Sequence, residues 1–259
     1  MDLKEQSVST ELKRHPWELA RARSINDLIQ KYIKTSDSTL VDFGCGDLFF
    51  MDYTLKNYTQ SKGIGFDIGF SSKDLEVLSS QHSKITPVNT KTDLDHLLIN
   101  QSADIVFLMD VIEHVENDQE ILESIIKSDW FDDQSQLIIT VPAYQFLFNS
   151  HDVFLEHFRR YTNTGLRKVV NASGFEIVEK GYFFSSLLIP RTLSKLKELL
   201  FPPKSFEKSE LVDWKGGSAI TKVITQTLYT DYKINHWLNS SLGLRLPGLS
   251  NYMVCQKPA

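Results

Sequence analysis

The feature that most narrows what this chain can fold into is a glycine turn set directly after a short apolar run: Thr39-Leu40-Val41-Asp42-Phe43 followed by Gly44-Cys45-Gly46-Asp47. Apolar and β-branched residues over 39–43 predict a buried strand ended by Gly44. The turn then places backbone N–H groups and the next helix N-terminus at the strand's carboxyl edge, where open α/β sheets bind ligands. Further candidate strands at 63–66, 85–88, 105–109 and 137–141 alternate with helical stretches, the rhythm of a doubly wound parallel sheet.

Around this unit the pattern changes twice. Over residues 15–33 the positions Trp17, Leu19, Ala22, Ile25, Leu28, Ile29, Tyr32 and Ile33 recur at helical spacing, which predicts an amphipathic lead-in helix. After Pro142 a polar and aromatic stretch runs through Tyr161, followed by a predicted helix at 165–172, a strand at 175–181 and a final strand at 252–256. The stretch between those two strands is longer than a minimal sheet needs. It holds a helical pattern at 187–200, a Pro202-Pro203 break and a second helix at 219–238. The expected division is an N-terminal helical segment (1–38), a core (39–182), a helical cap or extension (183–247) and a last strand returning to the core (248–259).

A length of 259 residues suits one large α/β domain with elaborations. With 41% apolar and 24% charged residues the chain can bury a core, and a net charge of -5 argues against nucleic acid as a partner. Cys45 and Cys255 lie too far apart in sequence to suggest a disulfide framework or metal pair, which suits a reducing compartment. No apolar signal core opens the sequence and no run is long enough to span a bilayer, so the expected location is cytoplasmic.

Two further residues bear on the ligand. Asp67 follows Gly46 by 21 residues and closes the second candidate strand, where a carboxylate can accept both hydroxyls of a ribose. A nicotinamide site wants glycine three residues after the second glycine, and here that place is Phe49, which obstructs close helix–strand packing.

Val41-Asp42-Phe43-Gly44-Cys45-Gly46-Asp47 resembles motif I of class I S-adenosylmethionine-dependent methyltransferases, and Gly65-Phe66-Asp67-Ile68 resembles their second acidic motif. The run from Ala103 through Met109-Asp110-Val111-Ile112-Glu113-His114-Val115 is similar to the fourth-strand motif of the branch containing ubiquinone-pathway O-methyltransferases. The resemblance implies a Rossmann-like α/β fold with a mostly parallel sheet, an antiparallel last strand, flanking helices and S-adenosyl-L-methionine as cofactor. It also implies a cofactor-binding set of Asp42, Gly44, Cys45, Gly46, Asp67, Ile68, Met109 and Asp110. Within that set Gly44 and Gly46 face the methionine part, Asp67 the ribose, Ile68 the adenine and Met109 the cofactor's edge, with Asp93 a candidate for the adenine amino group. One departure is Leu48, at a position where the family often carries a third glycine.

Methyl transfer depends chiefly on positioning, and a base is needed only when the acceptor must lose a proton. The candidate catalytic residues are His114, His151 and His157. An imidazole is the side chain suited to proton transfer near working pH, and His114 has Glu113 or Asp110 to orient it, while packing against the following helix explains it almost as well. If helical, Asp110, Glu113 and His114 share one face, an arrangement that resembles a metal motif of some ubiquinone-pathway and small-RNA methyltransferases; other branches carry Glu-His without an ion, and no metal is expected.

His151-Asp152 and His157-Phe158-Arg159-Arg160-Tyr161 resemble a His-Asp…His-x-Arg-Arg-Tyr signature of bacterial members. Asp152, Arg159, Arg160 and Tyr161, with Trp17 from the lead-in helix, form the candidate substrate-binding set, the arginines suited to a phosphate or carboxylate on the acceptor. Arg21 is a candidate for the methionine carboxylate. A solvated helix face accounts for some of these charges, and Trp17 and Arg21 are equally explained by packing.

The expected activity is O-methylation of a small or medium hydroxylated acceptor, with anionic and glycolipid-like molecules among the candidates and with nitrogen or carbon transfer and a non-catalytic binding module as rivals. Residues 183–190 followed by Arg191, Lys195 and Lys197 also allow a membrane-surface contact, though packing on the parent domain is the commoner outcome for such a pattern.

Overall fold

The computed structural model describes residues 14–33, 37–201, 214 and 216–258. The N-terminal stretch before Arg14 and the Pro202-Pro203 break therefore lie outside the described residues.

Helix α1 (Pro16–Ile29) starts where its sequence offers a capping box. His15 accepts from the Trp17 amide at 3.3 Å, the Glu18 carboxylate accepts from the His15 amide at 3.0 Å, and Pro16 supplies a preset φ in the first turn. Of the predicted face the helix buries Ala22, Ile25, Leu28 and Ile29, while Trp17 and Leu19 are half-buried; Ala20, outside that pattern, is buried too.

Seven strands then build one sheet: β1 (Thr39–Phe43), β2 (Lys62–Phe66), β3 (Ile85–Val88), β4 (Ile105–Met109), β5 (Gln136–Pro142), β6 (Glu176–Phe183) and β7 (Ser250–Gln256). Their order is β3-β2-β1-β4-β5-β7-β6. The pairings among β1 to β5 are parallel and both pairings of β7 are antiparallel, so the expected antiparallel last strand is present. Each strand lies within two residues of its predicted bounds. β6 continues to Phe183 because β7 pairs with it as far as Ser250.

Helices α2 (Phe49–Leu55), α3 (Ser72–Gln81), α4 (Lys91–Leu97), α5 (Asp118–Ile126), α6 (Ser150–Phe154), α7 (Asn163–Ala172), α8 (Leu188–Leu200) and α9 (Ser218–Leu242) complete the α-helices among the described residues. Alternating side chains of the buried strands feed two cores, one on each sheet face. Val41, Val106, Leu137 and Ile139 join Leu122, Ile125 and Leu166 on one face. Leu40, Ile105, Phe107 and Ile138 join α1, α2 and α9 on the other.

The extension is thus part of the sheet's helical cover. Leu228 and Tyr232 of α9 are buried in the second core, and Asp27 of α1 accepts from the Tyr229 hydroxyl and Lys233 of α9. α8 differs, since none of its residues is buried. Among the described residues no helix is long and apolar enough to cross a membrane.

The strand order reverses between β1 and β4, and the crevice at their carboxyl ends is the topological switch point.

Candidate active site

At the switch point the turn after β1 takes a path that glycine favours: Gly44 and Gly46 have φ of +67° and +55°. A side chain at Gly44 has no room either, because its Cβ would lie 2.7 Å from Val111 Cγ2.

Leu48 also has a left-handed backbone, with φ of 60°, and forms the N-cap of α2. That explains why glycine suits this position. Leucine persists because its side chain is fully buried over Gly65, where an added Cβ would come within 2.3 Å of Leu48 Cδ2. Gly65 on the facing strand leaves the room that the Leu48 side chain fills.

Asp67 stands at the end of β2 as predicted. Its two carboxylate oxygens accept from Gly46 N at 3.0 Å and Gly69 N at 2.9 Å, which fixes the side chain against the turn. Ile68 beside it is 84% exposed, an apolar surface at the mouth of the crevice. Asp42, on β1, is buried, and burial pushes its carboxyl up to about 7. The Cys45 side chain is buried in the core against Gly65, so only its backbone is offered to the crevice.

Met109 ends β4 and the chain then turns at Asp110, whose φ is +56°. Asp110 accepts from Thr140 Oγ1 at 2.9 Å and pairs with Arg21, whose guanidinium lies 4.7 Å from the Trp17 ring centre. Arg14 pairs with Asp47 in the same way. α1 and the residue pair before it are therefore tied to the turn after β1 through Arg14–Asp47 and to the end of β4 through Arg21–Asp110. Asp93 is exposed in the first turn of α4, where it bonds to Thr90 Oγ1 at 2.5 Å.

Residues 112–114 form a single 3-10 turn, and the shared face expected for Asp110, Glu113 and His114 does not form because Asp110 precedes that turn with a left-handed backbone. His157 takes its place. The His114 and His157 rings lie 4.5 Å apart at 83°, and Phe158 N donates to Glu113 O at 2.8 Å, holding the two segments together. Glu113, His114 and His157 each offer a ligand atom, all within 4.8 Å of one another, a set able to hold a divalent cation. Glu113 is fully buried, neither of its carboxylate oxygens has a hydrogen-bond partner, and burial pushes it up to about 8.

Asp152, in α6, is the hub behind this pair. It is fully buried and lies 2.9 Å from His157 Nδ1, accepts from Arg160 Nε at 2.8 Å and from Asn149 N at 2.9 Å, and has Arg191 of α8 at 3.4 Å. These partners outweigh the desolvation of its carboxylate and hold it well below the usual range.

The structure places the candidate substrate-binding residues in differing surroundings. Asp152 and Arg160 face inward because a buried guanidinium needs a carboxylate partner. Tyr161 is 5% exposed and donates to Asp118 at 2.6 Å. Arg159 pairs with the same Asp118 at 2.9 Å and donates to Glu116 O at 2.6 Å, while its side chain stays partly exposed. Trp17 packs beside the second core, half-buried. His151 is half-buried, and burial, helped by the charge of Arg191, pushes its imidazole down to about 4.

Asp118 and Arg191 were not singled out as site residues by the sequence. They sit 43 residues before Tyr161 and 39 after Asp152, with no local pattern linking them.

The sequence profile described as "Methyltransferase domain" matches residues 17–180, from α1 through the middle of β6. This chain belongs to the methyltransferase domain family. It is therefore an enzyme whose methyl donor is S-adenosylmethionine, and the turn after β1, with the carboxylate of Asp67 held against it, fits that group. No curated sequence matches the chain significantly. Among solved structures, the fold is similar to a putative methyltransferase of Bacillus halodurans, with a TM-score of 0.52 and 12% identity over 94% of this chain and 100% of that one. It is also similar to the [4+2]-cyclase SpnF (0.55, 13%, 96% and 85%) and to coclaurine N-methyltransferase (0.51, 12%, 91% and 70%). At these identities the likeness extends to the fold alone, and the cyclase illustrates that fold does not choose chemistry.

Proposed function

We propose that this methyltransferase transfers the methyl group to an oxygen of a small or medium hydroxylated acceptor, anionic or lipid-linked, and that His157 takes the hydroxyl proton. The observation that carries the reading is the 2.9 Å contact between buried Asp152 and His157 Nδ1. An ionised Asp152 favours the tautomer with the proton on Nδ1, leaving the Nε2 lone pair to accept from a substrate. His151, pushed down to about 4, is a weak base, so the geometry favours His157 over it.

The donor supplies an electrophilic methyl on a sulfonium. The Gly44, Cys45 and Gly46 backbone and Asp42 hold its methionine part, Asp67 its ribose, Ile68 its adenine, and Met109 and Asp110 its edge. His114 packs against His157 and fixes the ring's approach, while Trp17 and Arg159 border the acceptor. As the acceptor oxygen attacks, its proton passes to His157 Nε2 and the resulting imidazolium is stabilised by Asp152.

The test is transfer of a labelled methyl to cell extract, with the product identified by mass. His157→Ala should keep donor affinity and lower turnover by about 100-fold, the usual contribution of a general base. Full turnover in that variant removes His157 from the mechanism.

A second reading is favoured by the two unpartnered Glu113 oxygens: Glu113, His114 and His157 hold a divalent cation that satisfies them. A cation on the Nε2 atom of His157 and proton acceptance by that atom are mutually exclusive. Metal analysis of the purified chain, with activity before and after exhaustive chelation, separates them.

A further inference from the structure

α8 is amphipathic in the reverse sense. Its polar side faces the protein: Arg191 donates to Asn149 Oδ1 at 2.9 Å, and Glu198 accepts from Ser150 N at 2.9 Å. Its apolar side faces out, with Ile189 71%, Leu193 61%, Leu196 50%, Leu199 64% and Leu200 74% exposed. At about 100° per residue these five occupy a sector of about 120°, interrupted only by Thr192, whose hydroxyl donates to Leu188 O at 2.7 Å. Lys195 borders that sector on one side and Lys197 on the other, while the helix's one carboxylate, Glu198, is turned inward.

An apolar stripe edged by lysines on both flanks, with no acid facing outward, is complementary to a bilayer surface bearing anionic headgroups: the leucines enter the acyl boundary and the ammonium groups stay at headgroup level. A helix of this length lies in the interface and does not cross it.

We infer that α8 docks this methyltransferase on an anionic membrane surface. The polar side of the same helix grips Asn149, Ser150 and Asp152, the segment that carries His157. Docking therefore holds the acceptor side of the proposed site against the bilayer, which points to an acceptor embedded in the membrane. That last step rests on the proposed function; the docking itself does not.

The experiment is cosedimentation of the full chain with vesicles of phosphatidylcholine alone or mixed with phosphatidylglycerol. Binding is expected to the mixed vesicles, roughly tenfold above phosphatidylcholine alone, weakening as salt is raised. Leu193→Glu with Leu196→Glu should lower it by at least about tenfold, and Lys195→Gln with Lys197→Gln should remove most of the headgroup preference. Unchanged circular dichroism and donor affinity keep both double variants interpretable as folded proteins. Failure of the wild-type chain to bind mixed vesicles, or equal binding by both double variants, overturns the inference. So does a wild-type dimer that the leucine variant converts to monomer, since a second copy then covers the face. Loss of methyl transfer with intact vesicle binding would instead count against the proposed function alone.

Discussion

Replacing Asp42 with asparagine should make the stability of this protein less sensitive to pH, and the size of the change follows from one buried carboxyl. Asp42 is 2% exposed and its Oδ1 has no hydrogen-bond partner. Burial raises its folded value to about 7 from the usual 3.8. A carboxyl raised in the folded state favours folding while protonated; that benefit is full below the unfolded value and is lost as pH rises through the folded one. The loss relative to low pH is about 1.7 kcal/mol at pH 5 and about 4 kcal/mol at pH 7, so the wild-type chain gives up about 2 kcal/mol across that interval through this group. The amide of the Asp42→Asn variant cannot ionise. The stability difference, variant minus wild type, should therefore grow by about 2 kcal/mol between pH 5 and pH 7 and flatten above it. Because it is a difference of differences, the fixed cost of burying an amide cancels, as does the titration of Glu113, common to both proteins. Urea unfolding followed by circular dichroism at several pH values reads it directly. A difference that stays constant within about 0.5 kcal/mol would refute the assignment of Asp42 as the ionising group.

Leu48→Gly relieves a left-handed leucine but empties its fully buried place over Gly65, so thermal unfolding should show net destabilisation of about 1–3 kcal/mol; a stabilised variant would mean the strain outweighs the packing. Asp67→Ala removes the carboxylate held by Gly46 and Gly69, and titration calorimetry should find S-adenosylmethionine affinity lowered by about tenfold or more. Asp152→Asn leaves Arg160 and Arg191 without their buried carboxylate and should cost about 3 kcal/mol in urea unfolding; a loss under about 1 kcal/mol would show that the hub is not structural.

The sheet was readable because its signals are local: β-branched runs of four or five residues, each closed by a turn, mark strands wherever both faces are covered. The positions of Gly44, Gly46 and Asp67 were readable for the same reason, since they are set by the ends of two adjacent strands. The surroundings of Asp152 were not. Asp152 reads as a substrate ligand when its neighbours in sequence are polar, and only the return of α8 with Arg191 shows that it is walled in. Asp110 likewise promised a shared helical face with His114, and a single left-handed residue redirected the chain. Long-range pairing decides such positions, and no window of sequence contains both partners.

The place of β7 between β5 and β6 has a consequence for how the protein is made. The strand that joins β5 to β6 is Ser250–Gln256, and Asn251 within it donates to the Tyr161 carbonyl at 2.6 Å. During synthesis β1 to β5 can assemble as they emerge, but the outer edge of β5 waits unpaired, and β6 has no seat, until this last strand leaves the ribosome. An open hydrophobic edge is a template for pairing with other chains. The nascent chain thus passes through a stage in which β1 to β5 can be formed while β6 and β7 are not, and that is when a chaperone would have most to protect.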